Sequence, residues 1–89
     1  MPKIQVKYAA HISIITGKLN EYVDVQGDTI KDLILQLDKK YPGLKEIFIT
    51  PTGELTVSTY IYLRRMGEPT KFITDLNTQL KDNDVVTLW

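Results

Sequence analysis

Cysteine is absent from the 89 residues, which excludes disulfides, thiol nucleophiles and thiolate metal sites. A reducing compartment is compatible with that absence, and the cytoplasm is the expected location. Neither sign of charge is in excess. Eleven basic residues balance eleven acidic ones, so no whole-molecule field draws the chain toward nucleic acid or an anionic membrane, and neither is expected as a partner. Long apolar runs are missing too. Met1-Pro2-Lys3-Ile4 passes straight into an alternating segment, so neither a signal peptide nor a membrane span is expected. Histidine occurs once, at His11, with no carboxylate or serine companion in sequence, and is expected as a surface connector residue rather than a general base. No catalytic constellation stands anywhere along the chain. The expectation is a protein that is not an enzyme and has no catalytic, cofactor-binding or metal-binding residues.

What is present points to one small domain over residues 1–89, long enough for a single core without staples. Ile4, Val6 and Tyr8 alternate with Lys3, Gln5 and Lys7, the two-residue period of a strand with one face on the core. Leu19, Val23 and Val25 share a parity after Gly17-Lys18, which predicts a second, antiparallel strand joined to the first by an apolar connector from His11 to Thr16. A helix follows: Thr29 can cap it, Asp32 suits its positive end, and Ile30, Leu33, Ile34, Leu37 and Tyr41 form one stripe. Lys39 and Lys40 suit its other end, and Pro42-Gly43 predicts a stop around Lys40.

Leu44 to Ile49 reads as a short helical turn or an extended segment, closed by the turn cluster Thr50-Pro51-Thr52-Gly53. From Thr59 to Met66 the chain is rich in β-branched and aromatic residues, with Ile61 and Leu63 on one face and Tyr60, Tyr62 and Arg64 on the other. Gly67-Glu68-Pro69 breaks that strand, and Phe72-Ile73 suggests a short one after it. Leu76 and Leu80, the turn Asp82-Asn83-Asp84 and the β-rich run to Trp89 predict a tight connection into a last strand with Val86 and Leu88 in the core. The plan is α+β: a mixed sheet with one main helix across one face and the first and last strands parallel at its centre, a β-grasp or ubiquitin-like fold.

The chain resembles the MoaD/ThiS family of ubiquitin-like sulfur carriers, which includes the small subunit of molybdopterin synthase. The resemblance runs through Lys3-Ile4-Gln5-Val6-Lys7-Tyr8, on through Ala9-Ala10-His11-Ile12 to Gly17, then Thr29-Ile30-Lys31-Asp32-Leu33 and Tyr41-Pro42-Gly43-Leu44-Lys45. Leu76-x-Thr78-x-Leu80-Lys81-Asp82-x-Asp84-x-Val86 closes it. That last element also resembles TGS domains, regulatory or RNA-associated modules of certain GTPases and synthetases; the Tyr-Pro-Gly-Leu step and Gly53-Glu54-Leu55 favour the carriers. Departures are Ser13-Ile14 where the family commonly has Arg-Glu, Ala9 where it has a bulky apolar residue, and Asn83 where it has Gly. The resemblance implies a mobile tail ending in Gly-Gly, whose carboxylate is adenylated and converted to a thiocarboxylate. Gly17, Gly27, Gly43, Gly53 and Gly67 all stand singly, so the expectation is a chain that docks to a protein partner without carrying sulfur as written. An adenylating enzyme or a synthase large subunit is the partner the family role implies, and a non-conjugating ubiquitin-like interaction module is the alternative.

If Ile61, Leu63, Val86 and Leu88 face the helix, then Gln5, Lys7, Tyr60, Tyr62, Val85, Thr87 and Trp89 line the opposite face. Of these, Lys7, Tyr60, Tyr62, Thr87 and Trp89, with Arg64, are the candidate partner-binding residues. Large rings with polar tips are favoured anchors at protein interfaces, although aromatics on a sheet can also be ordinary cross-strand pairs. Arg64-Arg65 with Lys71 suits an anion or a partner's carboxylates, or a plainly solvated strand end. Asp82-Asn83-Asp84 has oxygens at metal-like spacing without the rest of a calcium loop, so a turn is expected there.

Overall fold

The structure, a computed structural model, describes residues 2–89. Alternation along Lys3–Tyr8 makes strand β1, with Ile4, Val6 and Tyr8 buried. The apolar connector expected from His11 to Thr16 takes the form of helix α1, His11–Thr16, entered through Ala10 at φ 50° and closed by Gly17 in the left-handed conformation. Ile12 and Thr16, four residues apart, are its buried side, a pairing that one short helical turn permits and an extended loop does not.

Strand β2, Asn20–Asp24, pairs antiparallel with β1 in a register that sets Ile4 against Val23 and Val6 against Glu21. Val25 is fully buried and Val23 partly so, but Leu19, expected on the same core face, is 74% exposed. The buried end of that parity is occupied by Glu21 instead. Its Oε2 accepts hydrogen bonds from the hydroxyls of Tyr8 and Tyr41, each at 2.6 Å, and its Oε1 accepts from Lys40 at 2.6 Å and Lys18 at 3.4 Å. Burial pushes the Tyr8 phenol up, helped by Glu21 beside it. For Glu21, burial alone would raise the carboxyl, but the donors Lys40, Tyr41, Tyr8 and Lys18 outweigh it and bring it down from 4.5 to about 2.

The folded state therefore holds Glu21 ionised where the unfolded chain would protonate it. This stabilisation is complete above pH 4.5 and disappears as pH falls toward about 2. The melting temperature is expected to drop over that interval more steeply in the native protein than in Glu21→Gln.

Helix α2, Ile30–Lys40, starts where the sequence predicts and for the predicted reason. Thr29 Oγ1 accepts from the Asp32 N–H at 3.1 Å while Asp32 Oδ2 accepts from the N–H groups of Thr29 and Asp28, a reciprocal capping box. Two further unpaired donors at this end, Ile30 N–H and Lys31 N–H, go to the carbonyls of Thr78 and Leu76, so the Leu76-Asn77-Thr78 segment completes the cap from a distant part of the chain. Thr29→Ala is expected to cost about 1 kcal/mol in chemical denaturation. A side chain at Gly27 would overlap the Asp32 carboxylate and break the same box.

Helix α3, Leu44–Phe48, resolves the choice left open by the sequence, and the turn at Thr50–Gly53 returns the chain so that Ile49 bridges Leu55. Strand β3, Ile61–Arg64, is shorter than the β-rich stretch around it, and β4 is only Lys71–Phe72, one residue earlier than expected. Strand β5, Val85–Leu88, is preceded by Asn83 at φ 71°, the left-handed turn that an asparagine tolerates. The sheet order is β2-β1-β5-β3-β4, with β1 and β5 parallel and every other pair antiparallel. Ile4, Val6, Ile61, Leu63, Val86 and Leu88 form one core with Ile30, Leu33, Ile34 and Leu37 of α2, which makes the architecture the expected β-grasp.

Candidate functional site: the outer sheet face

Because the core takes the odd-numbered residues of β3 and the even-numbered ones of β1 and β5, their neighbours in sequence project from the other face. The register aligns Lys7, Thr87, Tyr62 and Phe72 in one cross-strand row, and Tyr22, Gln5, Val85 and Arg64 in the next. One step further, the Trp89 N–H donates to the Tyr60 carbonyl at 2.9 Å, and the Tyr60 N–H donates back at 3.5 Å, so these two residues extend the β3–β5 ladder. All six candidate residues, Lys7, Tyr60, Tyr62, Arg64, Thr87 and Trp89, thus lie on one face, and each is exposed or half-buried.

Two residues on this face escaped the sequence reading. Phe72 stands opposite Tyr62 and joins the aromatics: its ring centroid is 5.7 Å from that of Tyr62 and 5.9 Å from that of Tyr60, both tilted. The buried Ile73 next to it was the available signal, since alternation then turns Phe72 outward. Tyr22 is the other, 68% exposed opposite Gln5. Exposure of 46% for Tyr60, 52% for Phe72 and 47% for Trp89 distinguishes these rings from core aromatics. Lys7 and Arg64, both exposed, place a positive charge on either side of the group.

The pair Arg64-Arg65 divides into two roles. Arg65 is not available to a ligand anion, because its Nε and Nη2 both donate at 2.9 Å to the carboxylate of Asp84, and Nη2 also donates to the Gln79 carbonyl at 3.1 Å. Lys71 is paired with Glu68 at 3.2 Å. Asp84 is fully buried and also accepts from the Lys81 N–H, while Asp82 Oδ1 accepts from the Lys3 N–H, so both aspartates of the Asp-Asn-Asp turn are held by protein donors. Their effect is mechanical: they fasten the entry to β5 against both β1 and β3 and so fix the strand that ends at the aromatic face. His11 lies exposed at the start of α1.

No helix among the described residues is long and apolar enough to cross a membrane. No protein-family model and no curated protein matches the chain. Solved structures do. The small archaeal modifier protein SAMP1 from Haloferax volcanii is 26% identical, with 98% of this chain and 92% of that one covered and a TM-score of 0.70. A candidate molybdopterin converting factor subunit 1 from Pyrococcus furiosus is 22% identical over 99% of this chain and 95% of its own, with a TM-score of 0.74. A chain of the BexX/CysO complex of Amycolatopsis orientalis is 18% identical over 97% and 92%, with a TM-score of 0.77.

Proposed function

The solved structures that this chain resembles are ubiquitin-like proteins of the MoaD/ThiS sulfur-carrier type, and from that premise we propose that it acts by docking its outer sheet face on a protein partner. The supporting observation is the solvent-facing aromatic group of Tyr60, Tyr62, Phe72 and Trp89, set between Lys7 and Arg64 where β5 runs out beside β3. Rings of this size release a large apolar area from water when covered, and their hydroxyl and indole groups keep a hydrogen-bonding tip, the combination that concentrates binding energy at interfaces. The two cations suit carboxylates on the partner and raise the rate of encounter. An adenylating enzyme or a synthase large subunit is the partner class we assign.

The resemblance assigns the sulfur chemistry to a tail ending in Gly-Gly, and residues 1–89 hold no glycine pair, so the role we assign to these residues is recognition. Two polypeptides separate recognition from chemistry: the 89-residue form and the same form extended by Gly-Gly, each titrated onto the cognate adenylating enzyme to read binding and then incubated with it, ATP and sulfide as the sulfur donor and read by intact mass. Both are expected to bind, and the shorter one is expected to gain no thiocarboxylate mass. Sulfur on the shorter form contradicts the assignment of chemistry, and failure of both to bind contradicts docking.

A further inference from the structure

One stretch of backbone is strained for little gain in packing. The chain leaves β1 through Ala10, which holds φ 50° and ψ −134°, a conformation that suits glycine and strains a residue with a Cβ. Two bonds fasten it there: the Ala10 carbonyl accepts from the Ser13 N–H at 3.2 Å and from Ser13 Oγ at 2.7 Å. What the strained turn leads into is α1, which buries only Ile12 and Thr16. Ile14 stands two residues from each of these, so it projects from the opposite side of the helix, and it is 82% exposed. Leu19, just past the closing Gly17, is 74% exposed. Strain held at a segment that returns two aliphatic side chains to water is a mark of a functional element rather than of a connector.

This end of the molecule is also where β5 runs out. The Tyr8 N–H donates to the Leu19 carbonyl at 2.8 Å, the Ala9 N–H to the Leu88 carbonyl at 3.0 Å and the Trp89 N–H to the Tyr60 carbonyl at 2.9 Å. Leu19, the start of α1, Trp89 and Tyr60 therefore follow one another across the end of the sheet. We propose that Ile14 and Leu19 are a second anchor for the protein partner that covers the outer face, seated in an apolar recess of that partner. This rests on the reading of the outer face as the docking surface, and α1 carries that surface past Trp89 and round the end of the sheet.

The chemistry of the tip selects what covers it. From Ala9 to Leu19 the only titratable side chains are His11 and Lys18, and the Lys18 ammonium lies 3.4 Å from the Glu21 carboxylate. The hydroxyls of Ser13 and Thr16 are already bonded to the carbonyls of Ala10 and Lys18. Covering the tip thus strips water from few polar groups, which suits an uncharged recess lined with aliphatic or aromatic side chains. Two aliphatic side chains alone cover far less than the roughly 1,000 Å² that a lasting interface between copies needs, so they extend the aromatic face and are no dimer contact of their own. A single lysine already beside a carboxylate supplies little attraction to an anionic bilayer.

The probe is the cognate adenylating enzyme, titrated with the full chain and its variants. Ile14→Ser and Leu19→Ser are each expected to weaken binding about tenfold with little change in melting temperature, because both side chains already stand in water. Ile14→Val keeps a branched apolar group and is expected to bind within about twofold of the native chain. Ala10→Gly relieves the strained turn and is expected to raise the melting temperature. In 13C-methyl-labelled protein the Ile14 and Ile15 signals are expected to shift when the enzyme is added. Native affinity in both serine variants, unmoved methyl signals in the complex, or a lower melting temperature in Ala10→Gly overturns the proposal. Self-association, or binding to phosphatidylglycerol vesicles, that the serine variants lose also overturns it, in favour of a second copy or a lipid surface. Tyr62→Ala separates this inference from the reading beneath it. Weakened binding there with native affinity in both serine variants sinks the second anchor alone, whereas native affinity in Tyr62→Ala sinks docking through the outer face.

Discussion

Asp84→Ala is expected to lower the free energy of unfolding by about 3 kcal/mol. The carboxylate has no exposed surface and receives three donors: Arg65 Nε and Nη2 at 2.9 Å and the Lys81 N–H at 2.8 Å. Alanine leaves a guanidinium without its anion and a turn N–H without an acceptor. The Arg65 side chain keeps 23% of its surface in water, so its cation can be partly rehydrated, which places the loss at the lower end of the range for breaking a buried pair. Arg65→Met should cost at least as much, because it strands the partner that has no access to water. Urea denaturation of the two single variants and the double variant gives the coupling, and a double variant no worse than either single one is the expected pattern. The consequence reaches the outer face, since Asp84 leads into β5 and the Asp84 carbonyl accepts from the Gln5 N–H at 3.0 Å. A loosened entry lets the far end of that strand, with Trp89, shift against Tyr60.

Tyr62→Ala is expected to do the reverse, weakening partner binding about thirtyfold, or 2 kcal/mol, while changing stability by less than about 1 kcal/mol. Its ring stands between Thr87 and Phe72 in the middle of the aromatic row, the position most completely shielded from water once a partner covers the face. Titration calorimetry and thermal melting on the same preparation separate the two quantities. A large drop in melting temperature with unchanged affinity would make this ring a packing element. Thr87→Ala, a smaller change in the same row, serves as the control expected to alter affinity little.

Local signals carried most of the fold. Helix α2 was legible because its cap, its apolar stripe and its stop all lie within fifteen or so consecutive residues, and the parity of β1, β3 and β5 read directly as an inner and an outer face. The outer face followed from that parity, which is why Lys7, Tyr60, Tyr62, Arg64, Thr87 and Trp89 could be assigned to it before the structure. What stayed hidden depends on partners distant in sequence. Helix α1 has only Ile12 and Thr16 to bury, too few for a periodic signal. Nothing near Glu21 announces that two tyrosines, 13 residues before it and 20 after, will hold it. Leu19 misled because a shared parity shows which way a side chain points and not whether anything covers it. Arg65 looked like half of a free cationic pair until the turn 19 residues later claimed it.

Hydrogen exchange on the complex with the cognate adenylating enzyme tests the central claim most directly. The account predicts slowed exchange at Tyr60 to Arg64, at Phe72 and at Thr87 to Trp89, with the exposed flank of α2 unaffected, and loss of that protection in Tyr62→Ala. Protection confined to α2 and α3, with the aromatic rows exchanging as in the free protein, would contradict it.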